Sequence, residues 1–271
     1  MTQSITHQIE IRHKNFEFPE TIDRYWCENN PFKTHLFNSF TLFLPDVEQY
    51  LIRTVKQRVK HIEQPQLKQE ALAFIGQEAQ HSLQHKKFWD NLRSSGYEID
   101  IYLRFVRNVF FKILERRLNN RLNLAISAAG EHLTTAVAEI ILKEEFLADA
   151  EPRLRNLFEW HAAEEIEHKS VVFDVFQNTT DNYLLRLVGM VVSHILVLGF
   201  LNLSLVMLLY QDNKLLDRKV WQEMMRFWFI KEKLLFRILF NSLKYCRKNF
   251  HPAQTDNLFL VERILAKQAT A

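Results

Sequence analysis

Two short patterns in this chain join an acid to an imidazole: Glu78-Ala-Gln-His81 and Glu165-Ile-Glu-His168. In a helix, positions i and i+3 share a face, so each pattern aims a carboxylate and an imidazole at one point. Two such pairs, with one glutamate from each of two further helices, make up the ligand set of a four-helix di-metal site. The single glutamates are Glu48, upstream of the first pair, and Glu131, upstream of the second. The widest gap in this order falls between Glu78 and Glu131. Two helical hairpins joined by a crossover would produce that spacing.

One Glu-x-x-His means little alone. Glu10-Ile-Arg-His13 also matches and, in a polar segment, is not expected to do chemistry. The other two are set apart by their joint order and by apolar neighbours: Leu72, Ile75 and Leu83 near the first, Ile166, Val171 and Val172 near the second. Burying several carboxylates and imidazoles there is costly unless cations neutralise them. The set suits two borderline metal ions, iron first, with manganese or zinc as alternatives.

Further residues fall on the same faces. His161 is rotated about 40° from Glu165 and about 20° from His168 around the helix axis, and is expected as an additional ligand. His85, one turn beyond His81, is expected to support a ligand by a hydrogen bond. Asp174 and Glu167 are candidates to orient imidazole N–H groups. Glu164 is rotated about 100° from Glu165 and is expected to meet solvent, with a pairing to His168 as the alternative. Glu139 is a weaker substitute for Glu131, about 12 Å farther along its helix.

The elements that must position these residues are helices. Only five glycines and six prolines punctuate 271 residues, too few for a sandwich, a barrel or a nucleotide-binding sheet. With 47% hydrophobic residues and 22 phenylalanines, the chain can fill a large aromatic core. Residues 1–30 read as a polar arm, 31–180 as the helical bundle holding the site, and 181–271 as an apolar helix followed by amphipathic ones. Pro45-Asp46 looks like a helix start, and Gln64-Pro65 a break. Further helices are expected over 66–94, 99–118, 120–145, 152–177 and 219–248, with a short one after Pro252. Gly130, inside the 120–145 helix, marks a close approach or a local cost. The expected fold is all-α, a ferritin-like four-helix bundle with additional C-terminal helices.

Net charge is +3 from 35 basic and 32 acidic residues, which gives no case for nucleic acid as a partner. Cys27 and Cys246 are too few for a disulfide framework or a thiolate metal site. The N-terminal residues lack the apolar core of a signal peptide, so a cytoplasmic location is expected. Residues 187–210 carry no formal charge and, at about 36 Å as a helix, could cross a bilayer. Burial in a helical core and membrane attachment are equally compatible with this stretch. Oligomeric state is open, a homodimer included.

The runs FLPDVEQYLI, FIGQEAQHSLQH, AAGEHLTTAVAE and WHAAEEIEHKSVVFDVF resemble the family of predicted metal-dependent hydrolases, grouped with ferritin-like helical proteins. The similarity spans about residues 30–240. In that family a glycine commonly precedes the first-helix glutamate; here Val47 precedes Glu48. The ligand pattern is also similar to that of di-iron arylamine N-oxygenases, which carry an extra histidine where this chain has His161. From these residues the leading expectation is a di-iron oxygenase or oxidase acting on a small organic substrate. Two-metal hydrolysis is the main alternative. A membrane-attached di-iron oxidase or desaturase is a third reading, and metal storage a weaker fourth.

Overall fold

A computed structural model describes residues 9–269. Its helices are α1 (Pro31–Val59), α2 (Pro65–Ser94), α3 (Asp100–Asn108), α4 (Glu115–Arg117) and α5 (Asn120–Lys143). They continue with α6 (Pro152–Glu167), α7 (Val171–Thr179), α8 (Tyr183–Gln211), α9 (Arg218–Met225), α10 (Leu234–Tyr245) and α11 (Leu258–Ala269). No strand occurs among the described residues; Cys27 and Ala150 form one isolated bridge. α1 packs chiefly on α2, and α5 on α6 and α8.

Pro45 does not start a helix. α1 begins about four turns earlier, where the Asn30 side chain accepts from Lys33 N–H and Pro31 occupies the first turn. Pro45 sits inside α1 and has no N–H to offer the Thr41 carbonyl. The indole Nε1 of Trp89 donates to that carbonyl instead, at 2.9 Å. The interior proline is therefore tolerated because α2 supplies the missing donor.

The expected helix over 152–177 is two helices, α6 and α7, with His168 at the C-cap of α6. The helix over 219–248 is likewise interrupted, by a π-turn at Arg226–Ile230 and by Lys233 in the left-handed conformation. Close backbone approach occurs at Gly189, not Gly130. A Cβ on Gly189 would lie 2.5 Å from the Ala125 carbonyl oxygen, while one on Gly130 would make ordinary contact with Ser193 at 3.6 Å. Gly189 thus lets α8 lie directly on α5.

Residues 9–30 are more than a polar arm. Ile22, Trp26 and Cys27 are buried in the main core, and Trp26 stacks on Phe158. Phe16 N–H donates to Gln84, and Glu151 N–H to the Trp26 carbonyl. This strap crosses α2 and α6. On its other side, α6 is covered by α11, whose Leu260, Val261 and Ile264 pack with Ala162, Ala163 and Ile166.

Candidate metal centre

Four helices each bring side chains to one buried point. α1 supplies Glu48; α2 supplies Glu78, His81 and His85; α5 supplies Glu131; α6 supplies His161 and Glu165, with His168 at its end. Each of these eight residues is at least 95% buried. Leu72 and Leu83, cited above as apolar neighbours, lie on the outer face of α2 and are about half exposed. The inner face of that helix is polar instead: Gln77, Glu78, His81, Gln84 and His85.

Ligand atoms of Glu78, Glu131, Glu165 and His168 lie within 4.8 Å of one another, and so do those of Glu48, Glu78 and His81. Glu78 belongs to both groups. His81, His161 and Glu165 form a further group, as do Glu48, His85 and His161. His168 Nε2 is 3.2 Å from Glu78 Oε1 and 2.9 Å from Glu131 Oε1, and His81 Nδ1 is 3.5 Å from Glu78 Oε1.

Outer partners fix which nitrogen of each imidazole faces inward. His81 Nε2–H donates to Glu164 Oε2 at 3.0 Å, leaving Nδ1 toward the carboxylates. His168 Nδ1–H donates to Gln77 Oε1 at 3.0 Å, leaving Nε2 inward. Gln77 in turn donates to Glu167, which accepts a bidentate pair from Arg12 at 2.7 and 2.9 Å. Arg12 also reaches Glu164 at 3.1 Å, and Trp160 Nε1 donates to Glu164 at 2.8 Å.

A second chain runs beside the first. Thr41 lies 3.2 Å from His85 Nδ1, His85 Nε2 lies 2.8 Å from His161 Nδ1, and His161 Nε2 lies 3.0 Å from Glu165 Oε1. Because a carboxylate only accepts, each link donates toward Glu165: Thr41 to His85, His85 to His161, His161 to Glu165. Thr134 Oγ1 donates to the other Glu165 oxygen.

Charge is distributed unevenly. Burial, then the charge of Glu78, pushes Glu48 well up; burial and Glu165 push Glu131 up to about 8. Burial acts the same way on Glu165, but hydrogen bonds from His161 and His168 outweigh it and hold that carboxyl down. Burial pulls His81 down, yet Glu164 and Glu78 together raise it to about 10, and His168 is raised similarly by Glu131. Burial dominates at His85 and His161, and holds both imidazoles below their usual range.

The donor atoms fit cations. Both oxygens of Glu48, Glu78 and Glu131, with His81 Nδ1 and His168 Nε2, are buried without a hydrogen-bond partner. Buried polar atoms normally find one. Here they converge instead on one another, an arrangement that costs free energy unless positive charge lies between them.

All seven expected ligands are thus brought together, with His85 against His161. Asp174 is not at the centre: it pairs with His251 at 2.7 Å, one helix beyond the site. Glu164 does not meet solvent. From Leu157 onward α6 is buried on every face, so its 100° rotation from Glu165 leads to the Arg12 strap. Glu139 pairs with Lys143 and Asn257, away from the cluster. Sequence reasoning missed Arg12 and Gln77, whose partners are distant in the chain, and Trp160, whose i,i+4 bond to Glu164 is local but was masked by the expectation that Glu164 meets solvent.

Beside His161 and Glu165 lies a narrow cavity of about 50 Å³, lined by Phe40, Phe43, Leu133, Val137, Phe158 and Val197 among others. The lining is apolar except for Thr134, His161 and Glu165.

Fold and site together define an all-helical protein whose buried carboxylates and imidazoles are grouped closely enough to hold metal ions. The family model described as predicted metal-dependent hydrolase matches residues 10–256, and the chain belongs to that family. No curated protein and no solved structure matches it.

Proposed function

We propose that the cluster is a dinuclear metal centre in a ferritin-like arrangement, and that the protein is a metal-dependent hydrolase for a small substrate with an apolar portion. The observation that carries the centre is the set of unpartnered, inward-facing atoms on Glu48, Glu78, His81, Glu131 and His168. The family description supports hydrolysis over the oxygenase expected from the ligand pattern.

Glu48, Glu78, His81, Glu131, Glu165 and His168 would hold the ions, with Glu78 shared between the two groups. Bound there, a cation pair supplies Lewis-acid polarisation and lowers the pKa of water. The chain's own groups do the rest. Glu164 and Gln77 fix the tautomers of His81 and His168. Phe40, Phe43 and Phe158 bind the apolar part of the substrate and exclude bulk water. His161 was expected as a ligand; both its nitrogens have protein partners, and it lines the cavity. We place it as a positioning group: it accepts from His85 at Nδ1 and donates from Nε2 to Glu165, holding that carboxylate beside the cavity.

Purified protein should cleave aryl or acyl esters in a reaction abolished by chelation and restored by metal. The apolar cavity favours one second reading, oxidation of an apolar substrate by dioxygen at an iron pair. Oxygen uptake by the reduced, iron-loaded protein, without ester cleavage, would select it.

A further inference from the structure

α8 is apolar on two faces, and only one of them is used by the fold. Its inner face, including Met190, Phe200, Leu201, Leu205 and Leu208, is buried along the bundle. Its outer face carries Leu184, Val188, Val191, Ile195, Leu203 and Val206 at helical spacing, all exposed, Val191 by 60% and Ile195 by 66%. Only 33% of the most apolar stretch of α8 is buried. The core helix of a soluble domain would bury most of it.

The next helices extend this surface. α10 runs antiparallel beside α8: Tyr183 donates to the Cys246 carbonyl at 2.6 Å, Arg186 to that of Arg247, and Ser242 Oγ lies 2.9 Å from His194 Nε2. Its outward positions Phe236, Leu239, Phe240 and Leu243 follow i, i+3, i+4, i+7 and are exposed. Tyr210, at the end of α8, and Trp221 on α9 are exposed as well. Residues 212–250 hold ten Lys or Arg against four Asp or Glu, an excess larger than the +3 of the whole chain.

We infer that this face is a docking surface for an anionic lipid bilayer, on which α8 lies rather than spans. Apolar stripes, aromatic residues and surrounding cations are the three components of interfacial binding. Spanning would strip α8 from the bundle, to which it is tied along its length. Arg186 is anchored at one end, Ser193 donates to the Ile126 carbonyl, Gly189 touches Ala125, and at the other end Asp212 pairs with His35 of α1 at 2.7 Å. A second copy of the chain is the weaker occupant, because a two-fold contact would set this cationic surface against itself. Val197 of α8 also lines the cavity beside the cluster, so the docked helix would stand between lipid and cavity. Delivery of an apolar substrate from the bilayer rests on the proposed function; the docking does not.

Flotation of the full-length protein tests this, with vesicles of phosphatidylcholine alone or mixed with phosphatidylglycerol. The protein should float at least about tenfold more with the anionic vesicles, less so at high salt. Val191→Glu with Ile195→Glu should abolish flotation, and Lys219→Glu with Lys233→Glu should weaken it, while helical circular dichroism, metal content and turnover of a water-soluble substrate stay at wild-type levels. In the wild-type chain, lipids brominated near the headgroup should quench tryptophan fluorescence, a readout that needs no variant. Wild-type protein that stays soluble with every vesicle overturns the inference. So does a wild-type dimer that Val191→Glu with Ile195→Glu dissociates, which would assign the face to a second copy. Neither result touches the metal centre, since metal content is read separately.

Discussion

His168 Nε2 stands 2.9 Å from Glu131 Oε1, yet neither atom makes a hydrogen bond. The pair is within hydrogen-bond distance but outside hydrogen-bond geometry, and both atoms belong to one group of ligand atoms within 4.8 Å of one another. Glu78, from a third helix, brings Oε1 within 3.2 Å of the same His168 nitrogen. Side chains positioned for a cation look like this; side chains positioned for one another do not.

Glu131→Gln should therefore separate stability from function. It removes a carboxylate whose ionised form is disfavoured by burial, so the metal-free variant should melt at or above the wild-type temperature. Metal retention and turnover should fall, turnover by about a hundredfold or more, on the scale of a lost Lewis acid. Thermal melts of chelated protein beside metal analysis would show it. A metal-free variant that melts far below wild type would mean that Glu131 is a structural group.

The metal-free protein should lose stability as pH rises. Glu131 is raised from 4.5 to about 8, so its contribution is complete below 4.5 and gone above about 8. His81, raised from 6.5 to about 10, contributes fully below 6.5 and loses that contribution on passing about 10. Both act in one direction. Melting temperatures of chelated protein should fall between about pH 5 and 9, while metal-reconstituted protein should hold steady. Parallel curves for the two forms would contradict this.

Gln77 connects His168 to Glu167 and Arg12. Gln77→Leu should keep the fold but weaken metal affinity by about 10- to 100-fold, as expected when the partner that orients a ligand is lost. Competition with a chromophoric chelator would measure it. An unchanged affinity would reduce the Arg12 strap to a packing role.

His161→Ala should retain both ions while turnover falls, because Glu165 loses the hydrogen bond that holds it beside the cavity. His85→Ala should do the same more weakly. Loss of one ion from His161→Ala would instead make His161 a ligand.

Asp212 tests the fold away from the site. Burial raises its pKa, but His35, Arg24 and Tyr97 hydrogen-bond to it and hold it below the usual carboxylate range. This depressed pKa contributes stability above about pH 4 that is lost as the carboxyl protonates at lower pH. Asp212→Asn should cost roughly 3 kcal/mol at neutral pH, the scale of breaking a buried ion pair. Chemical denaturation would register it, and a change below about 1 kcal/mol would demote the cluster to a surface contact.

The cluster was legible because Glu78 and His81, or Glu165 and His168, are local pairs whose meaning depends only on helical period. Their assembly followed from order along the chain. Glu164 was misread for the opposite reason: exposure is decided by what covers a helix, and α6 is covered by α11 and by residue 12, distant in sequence. Pro45 looked like a helix start because no local rule reveals that Trp89 would satisfy the Thr41 carbonyl. Asp174 follows His168 by only six residues, but the chain breaks between α6 and α7 and Asp174 pairs with His251 instead. Spacing across a break carries no facing information.

The most direct test of the centre is the metal content of chain expressed in metal-replete medium and exhaustively dialysed, compared with Glu78→Gln and Glu131→Gln. The account predicts about two transition-metal ions per wild-type chain and a loss of at least one in each variant. Wild-type protein without bound metal, or variants that retain as much as wild type, would contradict it.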